Sequence, residues 1–226
     1  NVFFLLHDSS RGLETLRVER KTQATLRVAA SPTLRVLFGH NFMRYPRDRL
    51  LFVNFVGSQS SGPASLPDKQ HEGHGGWTIP QIDGNIDRWL YDQKPDIVLL
   101  TIGTNDTKLN SGKKTAKALS RLLDRIADHP SFSGELLVGS IPPKKHPQDR
   151  SSIKNTDSYN ERIPETIAQK SPDRQITFVD IRSRLTEKDL APPPDKGLHL
   201  NAIGYTKMAQ GWYEGILDAI GEREDL

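Results

Sequence analysis

No cysteine occurs among the 226 residues. That excludes a disulfide framework and any thiolate metal site, and it leaves the redox compartment unmarked by bridges. A run of about 18 apolar residues, the length a membrane-spanning helix needs, is also missing. The chain opens on Asn1, and Val2 to Leu6 is too short and too uncharged at its start for a signal peptide, so the expectation is a mature, secreted form. What is present, 35% hydrophobic and 26% charged residues, suits one globular domain over 1–226 with a well-buried core.

The charge is unevenly placed. Residues 1–52 hold eight arginines and Lys21 against Asp8, Glu14, Glu19 and Asp48, a surplus of five positive charges, whereas the remainder carries two more acidic than basic residues. A basic leading quarter can meet nucleic acid. Without an aromatic platform or a helix-turn-helix pattern, nucleic acid is not expected as a partner. The same segment repeats Thr-Leu-Arg-Val at 15–18, 25–28 and 33–36, copies too few and too irregular for a solenoid. It stands apart from the rest of the domain.

Beyond residue 52 the chain alternates strand and helix. Phe52 to Val56 reads as a strand, and Ile79, Ile82, Ile86, Trp89 and Leu90 share one face of a helix that Pro80 opens. Asp96 to Ile102 is a continuous apolar run suited to a strand covered on both faces. Leu119, Leu122, Leu123 and Ile126 stripe the next helix; Glu135 to Ile141 is a strand stopped by Pro142-Pro143. A helix over 157–168, a strand over 176–181 and a long amphipathic helix carrying Ile203, Met208, Trp212, Ile216 and Ile220 follow. Repeated βα units argue for a mostly parallel sheet of about five strands with helices on both faces.

Three loops at strand ends carry polar chemistry. Asn105, in Gly103-Thr104-Asn105-Asp106, sits at the carboxyl end of a central strand, where crevices form in open α/β sheets. Its amide can donate to an oxyanion, or it can cap the following turn. In His71-Glu72-Gly73-His74-Gly75-Gly76-Trp77-Thr78 the paired glycines let a backbone N–H approach a ligand closely. His71 and His74 lack the third nearby ligand that a zinc site needs, so no metal is expected. His199 and Asp195, in Asp195-Lys196-Gly197-Leu198-His199, can be a general base and its orienting acid; a solvated entry to the last helix is the plainer reading. Trp77 can line a sugar subsite or pack beneath its loop.

Together these blocks, with Val53 to Gln59, Ser61-Gly62-Pro63, Tyr159-Asn160 and Gly204-Tyr205, resemble the SGNH (GDSL-type) hydrolase superfamily. Within it the chain is similar to carbohydrate esterase family 3, the acetyl xylan esterases, from about residue 53 to 217. The resemblance implies a three-layer α/β/α sandwich of flavodoxin-like type. It implies His199 as base, Asp195 as its acid, and the Gly76 N–H and the Asn105 side chain as oxyanion donors. The family's nucleophile lies in a Gly-Asp-Ser block after the first strand. Here Phe3-Phe4-Leu5-Leu6-His7-Asp8-Ser9 is the nearest match, with His7 in the glycine's place, and makes Ser9 the candidate; Gly39-His40-Asn41 offers an amide instead. The implied activity is removal of acetyl groups from carbohydrate through an acyl-enzyme, without cofactor, by a monomer acting on acetylated polysaccharide or small acyl esters. An inactive glycan-binding relative and a lipid or thioester hydrolase of the same fold are the alternatives.

Overall fold

The computed structural model describes residues 2–7, 24–25, 42–44, 50–52, 54–60, 69–145, 149–170, 172–195 and 197–221. In chain order its strands are β1 (Val2–His7), β2 (Ala24–Thr25), β3 (Phe42–Arg44), β4 (Leu50–Phe52), β5 (Asn54–Val56), β6 (Gln59–Ser60), β7 (Gln70–His71), β8 (Ile97–Thr101), β9 (Glu135–Gly139) and β10 (Ile176–Val179). The helices are α1 (Ile79–Asp83), α2 (Ile86–Gln93), α3 (Asp106–Leu109), α4 (Gly112–Ala127), α5 (Arg150–Asn160), α6 (Ile163–Ala168) and α7 (Ala202–Gly221).

The central sheet has the order β10-β9-β8-β1-β5. β8, β9 and β10 pair in parallel. β1 runs against both neighbours, with Val2 opposite Thr101, Leu6 opposite Ile97 and His7 opposite Asn54. Four strands therefore share one direction, and β1 alone is reversed. Its carboxyl end lies at the edge of the sheet where β8 begins. A separate small sheet, β2-β4-β3, falls in the basic leading segment, and β6 and β7 form a hairpin.

Alternation along the strands builds the layers. Ile97, Leu99, Leu137 and Val179 pack with Met208, Trp212 and Ile216 of α7 on one face. Val98, Leu100, Leu136 and Val138 meet Ile82, Leu90, Leu119, Leu122 and Ile126 on the other. The result is a three-layer α/β/α sandwich, with core side chains each worth about 1.5–3 kcal/mol of burial. Ile203, placed by its spacing on the buried stripe of α7, is instead 65% exposed at the start of that helix.

The helix anticipated over Ile79–Leu90 is two. Gln81 Oε1 accepts from the Thr78 N–H at 2.9 Å at the start of α1, and Gly84 closes it by donating to Pro80 O. Asn85 then stands at the N-terminus of α2.

Candidate active site

The loop after β8 is held from below by α5. Gly103 has φ +114°, and a Cβ there would lie 2.6 Å from the Tyr159 ring, so both handedness and space demand glycine. The Tyr159 hydroxyl donates to Ile102 O at 3.0 Å; burial raises its pKa, which keeps it a neutral donor. Asn155 Nδ2 donates to Thr107 O at 3.1 Å, and the Thr107 and Thr156 hydroxyls meet at 3.0 Å. Lys144, only 6% exposed, donates from Nζ to Thr104 O at 2.6 Å, Thr107 Oγ1 at 2.8 Å and Ser152 Oγ at 2.9 Å. All three acceptors are neutral. Burial first, and the nearby Lys108 ammonium second, lower its pKa to about 8 against the opposing pull of Asp149 and Asp106.

Asn105 therefore stands on a braced loop. Its Nδ2 donates to Trp77 O at 2.9 Å and makes no cap to α3. A primary amide carries two N–H donors, so one bond fixes the amide while the second hydrogen is left for a ligand. Next to it the buried Asp106 carboxylate accepts the Ile79 N–H through both oxygens, at 3.1 and 3.0 Å. Burial raises the Asp106 pKa and the Ile79 N–H partly offsets that. Asn105 and Asp106 thus join the loop after β8 to the start of α1.

Between His74 and Trp77 lies the Gly75-Gly76 turn. Gly76 has φ +81°, and a Cβ on either glycine would meet nothing within 4 Å. Here the backbone conformation requires glycine, and the apex is open to solvent and ligand. His71 and His74 do not converge on a common point: His71 Nδ1 accepts the Gly73 N–H at 2.9 Å, while His74 Nε2 lies 3.0 Å from Glu72 Oε2. Among the described residues no group of three His, Cys, Asp or Glu side chains could hold a metal ion.

The last loop carries His199. Asp195 Oδ2 lies 2.5 Å from His199 Nδ1, and Oδ1 accepts the N–H of Leu198 at 2.9 Å and of His199 at 3.3 Å. Four residues of separation are absorbed because the carboxylate sits inside the turn it caps. The His199 bond, then the Leu198 N–H, lower the Asp195 pKa to about 2. A carboxylate only accepts, so Nδ1 bears the proton and Nε2 keeps its lone pair. The imidazole is 70% exposed. It lines a cleft of about 380 Å³ together with Gly75, Gly76, Thr104, Asn105 and Lys108; Pro142, Leu198, Leu200, Tyr205 and Met208 give the apolar wall. Asn160 steadies that wall, exchanging two 2.9 Å bonds with the Ile141 backbone.

Of the anticipated site residues, Gly76, Asn105, Asp195 and His199 are thus assembled at one edge of the sheet. Ser9 lies outside the described residues, and His7, two residues earlier, is at the opposite edge beside Asn54. Lys144, Asp106 and Glu72 were given no role by the sequence; only Asp106 and Glu72 fall within the matching blocks.

Residues 55–207 match the GDSL-like lipase/acylhydrolase family. The structure is similar to a family 3 carbohydrate esterase of Clostridium thermocellum, at 40% identity and TM-score 0.62 over 75% of this chain and 81% of that one. It is also similar to a family 3 carbohydrate esterase of Talaromyces cellulolyticus, at 24% identity and TM-score 0.65 over 75% and 83% of the two chains, which shows the fold alone. In sequence it is 29% identical over 187 residues to a multidomain esterase of Ruminococcus flavefaciens, 73% of this chain but only 24% of that protein. Another relative, an endoglucanase X of Acetivibrio thermocellus, is 35% identical over 144 residues, and the match spans 59% of its length. The family match over residues 55–207, about two thirds of the sequence, shows that the chain belongs to the GDSL-like lipase/acylhydrolase family.

Proposed function

We propose that this chain is a carboxylic ester hydrolase that removes acetyl groups from carbohydrate. The observation that carries the reading is the convergence of the Gly76 backbone, the Asn105 amide and the His199 imidazole on one cleft. An ester carbonyl seated there would have two N–H donors for the oxyanion that forms on attack, each worth about 3–4 kcal/mol in such sites. His199 Nε2 is the base, and Asp195 holds its tautomer. A cleft of about 380 Å³ falls within the volume range of small-ligand sites, about 300–1,000 Å³, and has room for an acetylated sugar residue. The esterase names of the Clostridium and Ruminococcus relatives agree with this chemistry. A polysaccharide substrate also implies an extracellular setting.

The nucleophile we assign is Ser9, and the position of His7 at the far edge of the sheet makes this the assignment that mutation has to decide. Acetate release from acetylated xylan and from p-nitrophenyl acetate is the assay. His199→Ala and Ser9→Ala should each lower kcat by at least about 1,000-fold with folding intact, whereas Ser10→Ala should leave it within a few-fold. Undiminished turnover in Ser9→Ala rejects the assignment. Wild-type protein that binds acetylated xylan without releasing acetate belongs to the alternative class, a glycan-binding relative.

A further inference from the structure

Glu72 is a carboxylate at 0% exposure that lines neither the cleft nor a metal site. Burial of a charge is costly unless donors replace water, and here they do. Oε1 accepts the Ser58 N–H at 2.6 Å, and Oε2 accepts the Ser58 hydroxyl at 2.7 Å and His74 Nε2–H at 3.0 Å. Ser58 follows β5 at the edge of the central sheet. The His74 ring packs against two indoles, Trp77 at 4.1 Å and 17° and Trp89 of α2 at 5.0 Å and 7°, which lie 6.2 Å from each other. Its Nε2 is taken up by Glu72, which leaves that nitrogen no ligand role.

This matters for what lies next in the chain. Gly75 and Gly76 have no side chains with which to hold themselves, and a Cβ on either would touch nothing. The apex can therefore be placed only by its flanks. Downstream, Asn105 grips Trp77 O and Asp106 grips the Ile79 N–H. Upstream, the Glu72–His74 pair with its two tryptophans ties the turn to the sheet edge, beside the bond from the Gly73 N–H to His71 Nδ1. Backbone donors help a transition state only when they are fixed before it forms.

We propose that Glu72 and His74 are positioning residues that lock the Gly75-Gly76 turn so that its backbone N–H is aimed into the cleft. This rests on the esterase reading for its effect on turnover but not for its effect on the loop. Glu72→Gln removes the charge that draws three donors together. His74→Phe keeps a stacked ring and loses only the Nε2 bond, so it decides the matter if Glu72→Gln fails to fold. Leu122→Ala, buried in α4 in the same apolar layer as Trp89, is the control for general destabilisation. Each variant is assayed on p-nitrophenyl acetate and acetylated xylan, and amide hydrogen exchange is followed at Gly73 and Trp77, whose N–H groups bond His71 Nδ1 and His74 O on either side of the apex. Both clamp variants should lose about 10- to 100-fold in kcat with KM changed by less than about threefold, because a misplacement near 1 Å costs this much. Exchange at the Gly73 and Trp77 amides should quicken, while Leu122→Ala, compared at equal folded fraction, should keep both kcat and exchange. Clamp variants with kcat within twofold of wild type and unchanged exchange would overturn the proposal, as would an equal kcat loss in Leu122→Ala. If the wild type hydrolyses no acetyl ester, the esterase reading fails and exchange alone judges the clamp, with unchanged exchange overturning it.

Discussion

Asp195 accepts from three N–H groups of a single turn, so its replacement by asparagine tests two roles at once. The carbonyl oxygen of an asparagine can keep one or two of those bonds, and the turn should survive. What the amide cannot do is favour the Nδ1-protonated imidazole and stabilise its positive charge. Asp195→Asn should therefore lower kcat by about 100- to 10,000-fold with little change in KM. The smaller figure applies if water reaching the exposed ring substitutes in part. Because the Asp195 pKa is lowered to about 2, the carboxylate is fully ionised above pH 4 and its own protonation does not shape activity there. Its lowered pKa also stabilises the fold above the ordinary carboxylate range, and that contribution fades as pH falls toward 2. Steady-state rates of wild type and variant from pH 4 to 9 check the assignment; superimposable profiles would remove Asp195 from the mechanism.

The elements that position the cleft are tied by side chains crossing between loops, and Asp106 is the tie with the most to lose. Asp106→Asn turns one of its two acceptor oxygens into an N–H group facing the Ile79 N–H. Leaving that buried donor poorly matched should cost about 1–3 kcal/mol in a denaturant titration. Because Ile79 follows Gly76 by three residues, kcat should fall as well; wild-type stability would deny the tie between α1 and α3. Such ties explain what the sequence could and could not show. The apolar strands β8 and β9 and the stripes of α4 and α7 were legible because burial imposes a period. Helix α5 was anticipated only from Asp157, yet it begins at Arg150, capped by Asp149, whose side chain accepts from the Ser152 N–H at 3.0 Å. Its buried face is Ser152, Thr156, Tyr159 and Asn160, polar because it serves the strand-end loops rather than the core, and a hydrophobic period cannot register it. The Asp195–His199 pair was legible as a local spacing. Lys144 was not, since a lysine beside Pro142-Pro143 looks like solvated surface until residues 40 positions away supply its acceptors.

At the scale of the whole molecule, Lys144 links the integrity of the cleft to pH through a buried charge. Its pKa of about 8 lies below the ordinary 10.5, so between these values the unfolded chain binds more protons at this site than the folded one. Stability must then rise with pH across that window. The cost of burying the ammonium is fully present below pH 8 and is relieved as the folded protein releases the proton. Each pKa unit corresponds to about 1.4 kcal/mol, which bounds the effect at about 3 kcal/mol. Two neighbours limit where it can be seen. Tyr159, whose buried phenol resists ionisation, acts oppositely above pH 10, because only the unfolded chain then loses that proton. Asp195 acts only in acid. The clean interval is therefore pH 7 to 9.5. Lys144→Met removes the titrating group, at the expense of the Thr104 O bond that braces Asn105. Urea midpoints measured on both proteins should diverge, with wild type gaining about 1–2 kcal/mol on the variant between pH 7 and 9.5. Turnover by the variant should be lower at every pH, because the loop after β8 loses its only cationic donor among the described residues. The neutral amine still has two N–H groups to give, so wild-type kcat should not collapse as Lys144 deprotonates. Parallel stability profiles for the two proteins would mean that Lys144 does not titrate in this window.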